Sequence, residues 1–441
     1  MNQAATLSAR RGWRAIPDRD RVPLPIAMAV FLACYLSWRP SRDIMFTASD
    51  MLFLLGGWIL LTRKRLPAEP LGPFTAPWLI AFTTMLAGLL IGSVASGSPD
   101  RWTIVAVQYI FAWIVLPFLL IGHGHRYTMI LARMLLLGVV AMELVGIIVY
   151  STFDMSFETA RQVLGLDFIS GSRRLGVFAT DANWNGAVIA MTLPFAFYLA
   201  SKKLIGPIFT VVSVAILVSA LTFSASFTAF TASVMAIVIF LTVGAVRPKP
   251  WAILLVLAAG SLVVTGEYTP EIFQKRVGDA IETGDISEAG TFTGRVALIA
   301  DAWEMAGDHL LVGIGVDQDR VVSKLRAPVH NMYLLVLVEG GITALLGWVG
   351  MMLVGLATAI SAFRHDRLVA AVALSVLTTF FIFSTASPHM YARLWAVPVL
   401  VALAVARDVS MQAEGGEPTR SGRRFATRFR PADARLSSTA R

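Results

Sequence analysis

Twelve apolar windows of membrane length run through this 441-residue chain, at about 22–38, 44–62, 74–95, 102–121, 127–150, 182–200, 204–223, 226–246, 251–266, 331–360, 368–385 and 390–407. Hydrocarbon offers no hydrogen-bond partners, so a crossing segment must close its own backbone bonds, and about 20 residues of α-helix do so. The pattern predicts an all-α, polytopic helical membrane protein with about 12 transmembrane helices. Composition agrees: 15% of residues are charged, against roughly 25% in a soluble domain, and the mean hydropathy is +0.69. These values exclude a water-soluble enzyme, a disordered chain and a coiled coil.

Charge sets the expected orientation. With the amino terminus in the cytoplasm, the cytoplasmic segments hold 23 Lys and Arg, against 7 in the short segments of the other face. Positive charge in short loops marks the cytoplasmic side, so both termini are expected there. The net charge of +9 has the same origin and calls for no nucleic acid. Residues 1–21 read as a cytoplasmic leader with no cleavage site, 22–407 as the membrane domain, and 408–441 as a basic, disordered cytoplasmic tail able to rest on anionic lipid. The single cysteine, Cys34, has no intrachain partner and lies in an apolar run.

Two loops fall on the non-cytoplasmic face, at about 151–181 and 267–329, and long loops of this kind seldom serve only as connectors. The first carries Arg173 and Arg174, then Gly176, Asp181, Asn183 and Asn185. The second carries two helix-like runs, 271–282 and 294–307, with Arg295, Asp301, Trp303 and Glu304, and closes on His330, Asn331 and Tyr333. Glu339 follows two turns into the next span. There is no cysteine cluster, no HExxH and no phosphate-binding glycine loop, so neither a metal cage nor an ATP site is expected. Arginine suits bidentate binding of phosphate and keeps its charge. An imidazole near neutral pH can take a proton from a sugar hydroxyl or orient it. Such a set fits a phosphate-bearing lipid whose head group lies at the outer surface.

Taken in order, Arg173-Arg174-Leu175-Gly176 with Asp181 and Asn183, Thr293-Gly294-Arg295 with Trp303, Gly313 and Gly315, and Val329-His330-Asn331 with Tyr333 and Glu339-Gly340 resemble the O-antigen ligase and polysaccharide polymerase superfamily of bacterial inner membranes. The resemblance covers roughly residues 170–350. It implies an inverting, metal-independent transfer of a glycan from undecaprenyl pyrophosphate to an acceptor hydroxyl, with no cofactor. By the same resemblance Arg173 or Arg174, with the spacing to Gly176 favouring Arg173, and Arg295 would hold the pyrophosphate. Arg295 and His330 would be the catalytic pair, with His330 orienting or deprotonating the acceptor. Asn183, Asn331, Tyr333 and Glu339 would frame the site. The implied partners are an undecaprenyl-pyrophosphate-linked glycan, an acceptor glycan or lipid A–core, membrane lipids and other polysaccharide-assembly proteins.

The chain departs from the family pattern in the hairpin between the seventh and eighth windows. There Ser224-Ala225-Ser226-Phe227 stands where members commonly carry Ser-Arg, so any arginine role is lost or falls to another residue. Two outcomes share the donor chemistry: a polymerase of O-antigen or exopolysaccharide repeat units, which is favoured, and a ligase to lipid A–core. A transporter of lipid-linked oligosaccharide is the alternative from another class, but it would call for charges along several helix centres. Structural roles also stand open: interfacial anchoring for Arg173 and Arg174, a helix-surface pair for Arg295, and capping for His330. Asp50, Arg133 and Glu143 lie inside apolar windows, where ionisable groups are costly, and a structural pair within the bundle is expected for each.

Overall fold

The computed structural model describes residues 21–36, 44–246 apart from 153, 155, 166 and 171, then 271–283 and 292–416. These residues form an all-α membrane protein. Its helices are α1 Leu24–Phe31, α2 Ala48–Thr62, α3 Thr75–Ala95, α4 Pro99–Leu120 with a π-helical turn at Phe111–Val115, α5 His125–Thr152 and α6 Phe157–Leu164. They continue as α7 Ala182–Ser201, α8 Pro207–Ser224, α9 Phe227–Val243 and α10, residues 271–283 around a π-helical turn at Gln274–Gly278. The last five are α11 Phe292–Asp308, α12 Asp319–Val322, α13 Met332–Ala362, α14 Arg367–Ser384 and α15 Arg393–Gly416. Among the described residues there is no strand, only an isolated bridge between Ile169 and Leu175.

Eight of these helices are long and apolar enough to cross a membrane: α3, α4, α5, α7, α8, α13, α14 and α15. Two more apolar helices, α2 and α9, have 15 and 17 residues. Among the described residues of the window at 22–38, only the 8 residues of α1 are helical before the chain turns at Leu32, and the window at 251–266 lies outside the described residues. Within the bundle α15 and α7 are the most enclosed, with 89% and 78% of their apolar window inside the protein against 28% for α8. The core of the bundle is thus built around α15 and around α7, whose first residues line the site described below.

The charges inside apolar windows fare differently from one another. Asp50 caps its own helix through the Thr47 amide (2.7 Å) and forms a buried ion pair with Arg393. The Arg393 guanidinium also donates to the carbonyls of Tyr391 and Met45, so α2, the segment before it and the start of α15 share one polar knot. Glu143 accepts from Asn185 Nδ2 at 3.3 Å. Arg133, for which a pair was equally expected, has none among the described residues, and its Nε is buried without a partner.

One backbone feature shapes the functional end. In α13, Gly341 takes φ 67° and ψ −170°, a conformation that L side chains avoid, and it breaks the helix. The carbonyls of Val338 and Glu339 are bonded instead by the amides of Ile314 (2.8 Å) and Gly315 (2.9 Å), while the Ile342 amide donates to Leu310 (2.8 Å). The segment 310–316 therefore runs alongside α13 and completes its ladder. Backbone of this kind persists at membrane depth only when protein encloses it. Here α3 does so, packing backbone to backbone against α13 where Gly88 meets Ala344 and Gly347 meets Met85.

Candidate active site

The two adjacent arginines point in opposite directions. Ile169 and Leu175 bridge across a tight turn in which Ser170 accepts from the Arg173 amide (2.8 Å) and Arg173 adopts a φ of 52°. The left-handed backbone at Arg173 turns the chain between the two residues, so one arginine goes out and the next goes in. Arg173 is exposed, with its guanidinium 5.6 Å from the centre of the Tyr150 ring. Arg174 is buried; its Nε donates to the Ser224 carbonyl (2.9 Å) and its Nη2 to Asn183 Oδ1 (2.8 Å).

Asp181 starts α7. Its carboxylate accepts the amides of Asn183 (2.7 Å) and Trp184 (2.9 Å), satisfying donors that a helix start leaves orphaned. Arg295 lies in the first turn of α11 and Arg276 in the π-helical turn of α10. The seat of Arg276 is apolar: Phe273 and Val277, on either side of it, pack with Ala225, Phe227 and Phe230 of the α8–α9 hairpin. His330 stands just ahead of α13. It is held there by two contacts of its neighbours: Asn331 caps α13 through the amides of Tyr333 and Leu334, and the Val329 amide donates to Asp319 (2.8 Å).

Arg174, Arg276, Arg295 and His330 line one cavity of about 520 Å³, together with Asp181, Asn183, Trp184 and Ser387. Three guanidinium groups thus face a single carboxylate, leaving an excess of two positive charges in the lining. The groups register the imbalance. Burial, then the charges of Arg276 and Arg295, pull Arg174 down to about 10 against the pull of Asp181. Burial lowers Arg276 too, with Arg295 pressing on it and Asp181 opposing; Arg295 is lowered by burial with Asp181 again opposing. Among the described residues the Arg276 Nε is buried with no hydrogen-bond partner. A buried donor left unsatisfied is costly, and clustered cations in a concave, half-buried site attract an anion.

His330 is shifted downward as well, by burial first and then by the charge of Arg295, with Asp181 opposing. It is therefore neutral at neutral pH and able to accept a proton. The cavity can bind a multiply charged anion on one side and offer a base on the other.

Of the residues singled out from sequence, Arg174, Asn183, Arg295 and His330 come together here, while Arg173 does not. Asn331 is occupied as a helix cap. Tyr333 packs at the edge of the hydrophobic core. Glu339 is buried, and its Oε1 accepts the Asp317 amide at 2.6 Å, so it holds the loop rather than facing the cavity. Arg276, Trp184 and Ser387 were not singled out. Arg276 sat inside a recognised helix-like run, where the Glu271–Lys275 pair (2.5 Å) leaves it as the cation without a local partner.

A second polar cluster lies beside the site. Ligand atoms of Asp317, Glu339 and His389 fall within 4.8 Å of one another. Asp317, however, already pairs with Arg101, with His389 (3.3 Å) and with Arg320 (3.6 Å). Burial alone would raise its carboxyl, but the bonds from His389 and Arg101 and the Arg320 charge hold it well below the usual range. This is the chemistry of an ion-pair node, with its negative charge already matched by cationic side chains.

No curated protein matches the chain. Residues 182–349 match the family model described as O-Antigen ligase, a span that contains Asn183, Trp184, Arg276, Arg295 and His330. That part of the chain is thus similar to the O-antigen ligase family.

Proposed function

We propose that the protein is a metal-independent, inverting glycosyltransferase of the bacterial inner membrane. In this reading it transfers a glycan from undecaprenyl pyrophosphate to an acceptor sugar hydroxyl during surface polysaccharide assembly. Both termini lie in the cytoplasm and the cavity opens at the periplasmic surface. Members of the superfamily act in general on lipid-linked glycans and acceptors, and the observation that carries the finer reading is the convergence of Arg174, Arg276 and Arg295 with His330 around one cavity. The guanidinium groups hold the diphosphate. The acceptor hydroxyl gives its proton to His330 and attacks the anomeric carbon in line, while the bond to the diphosphate oxygen breaks. The electron pair leaves with that oxygen, and the charge it develops falls among preorganised cations, a large source of rate enhancement in such sites.

Arg276 fits the role for which family members commonly use an arginine in the hairpin. It is held against that hairpin by Phe273 and Val277, from a different element of the chain.

The favoured outcome is polymerisation of repeat units, with ligation to lipid A–core as the alternative. Purified protein in proteoliposomes, given a lipid-linked repeat unit with and without core acceptor and with chelator present, tests both. Chain extension without core supports polymerase, and transfer only when core is supplied turns the assignment to ligase. Full activity of both Arg295→Ala and His330→Ala would remove the proposed site.

A further inference from the structure

At the end of the bundle opposite the active-site cavity lies a second cleft, of about 230 Å³, lined by Arg133, Leu136 and Leu137 of α5 and by Ile205, Gly206 and Phe209 at the α7–α8 turn and the start of α8. Its place follows from the chain path, since α5 and α8 both reach the active site at their other ends, near Tyr150 and Ser224. Apart from Arg133, the lining offers no charged side chain. No carboxylate pairs with Arg133 among the described residues, and its Nε is buried without a partner. An arginine left so in an apolar setting requires an anion that comes from elsewhere.

We propose that this cleft binds the phosphate of an anionic glycerophospholipid. Arg133 is eight residues from the start of α5, about 12 Å along the helix, and helical side chains lean toward the amino end, here the near membrane surface. Arg126, seven residues earlier and about 20° away round the helix, is exposed at the rim, and Lys203 is exposed at the α7–α8 turn. The carboxylates at this end, Asp366 and Asp408, are paired with Lys202 and His125, so Arg133, Arg126 and Lys203 leave the cleft's surroundings with an excess of positive charge. Above Arg133 the same face of α5 is apolar and open, with Leu137, Leu144 and Ile148 exposed at 40%, 44% and 53%. These lie within about 60° of Arg133 round the helix. On α8 the exposed Val212, about 60° round the helix from Phe209, continues the surface. A head-group phosphate on the guanidinium thus places acyl chains along an apolar track, which a free phosphate would leave unused.

The test uses the full chain, purified and stripped of lipid, with thermal unfolding followed by its own tryptophans. Mixed micelles containing phosphatidylglycerol should raise the midpoint by several degrees, as binding to the folded state alone requires, and phosphatidylcholine should raise it less. Arg133→Gln should lose most of the difference. Gly206→Leu provides a variant that keeps the charge: a Cβ on this lining residue meets nothing within 4 Å, so bulk is added at the cleft without a clash at its first atom and should weaken the shift too. Native mass spectrometry should then count one fewer retained phosphatidylglycerol for either variant. A wild-type shift in Gly206→Leu or Arg133→Gln would overturn the proposal. So would an equal shift with phosphatidylcholine or with inorganic phosphate alone.

Discussion

Replacing Arg295 by Gln changes two quantities, and the structure says in which direction each must move. The first is anion binding. A hydrogen bond from a charged group contributes about 1.5–3 kcal/mol, so losing the guanidinium should lower kcat/KM by roughly 10- to 150-fold at 1.4 kcal/mol per tenfold. The second is the basicity of His330. Burial is the larger cause of its low pKa and the charge of Arg295 the next, so removing that charge moves the imidazole back up toward its usual value. The profile of kcat/KM against pH reports the free enzyme's ionisations, and its acid limb should therefore move to higher pH in Arg295→Gln. Arg295→Lys keeps the charge but loses the fork, so it should lose activity while the limb stays near its wild-type position. The assay is transfer from a fluorescent lipid-linked donor across the pH range. The reasoning fails if Arg295→Gln costs less than about threefold (~0.65 kcal/mol), or if its limb coincides with that of Arg295→Lys.

Other substitutions separate the remaining roles. Arg174→Ala should lower transfer by more than tenfold, whereas Arg173→Ala should stay within about threefold, because only Arg174 reaches the cavity; reversal of that order in the same assay would refute the inward–outward assignment. Arg276→Met removes a buried unpartnered donor, worth about 1–3 kcal/mol, and a cation repelled by its neighbours. It should raise the thermal midpoint of the donor-free protein while cutting transfer, and a lowered midpoint with activity intact would contradict it. Asp50→Asn leaves Arg393 buried without its counter-charge and should destabilise the fold by about 3–5 kcal/mol, measured as a fall in thermal midpoint and in yield of folded protein in detergent.

The helical frame could be read from apolar windows because crossing a bilayer leaves the backbone almost no other choice. The same windows did not show that α1 would stop after Phe31 or that α13 would break at Gly341, since both depend on packing partners distant in sequence. Half of the site was legible for a chemical reason: phosphate calls for arginine and proton transfer for histidine. Which of Arg173 and Arg174 points inward is decided by the 169–175 turn, and adjacent residues cannot reveal the phase of such a turn. Arg276 was hidden because its environment is supplied by Phe273, Val277 and the hairpin around Ala225, contacts that no local pattern records. Glu339 was expected to frame the site by resemblance, whereas its actual partner, the Asp317 amide, belongs to the loop.

The break at Gly341 also decides how firmly one wall of the cavity is held. With the amides of Ile314 and Gly315 stitched onto Val338 and Glu339, and Val329 tied to Asp319, the wall that carries His330 is clamped to a membrane helix. The helix that carries Arg295 is fastened to the same frame, since Ala302 and Ala306 pack with Val329, Leu334 and Val338, and Asp301 accepts from the Ser323 hydroxyl (2.6 Å). The base and this guanidinium therefore share one mount, and their spacing is set by the fold before any head group arrives.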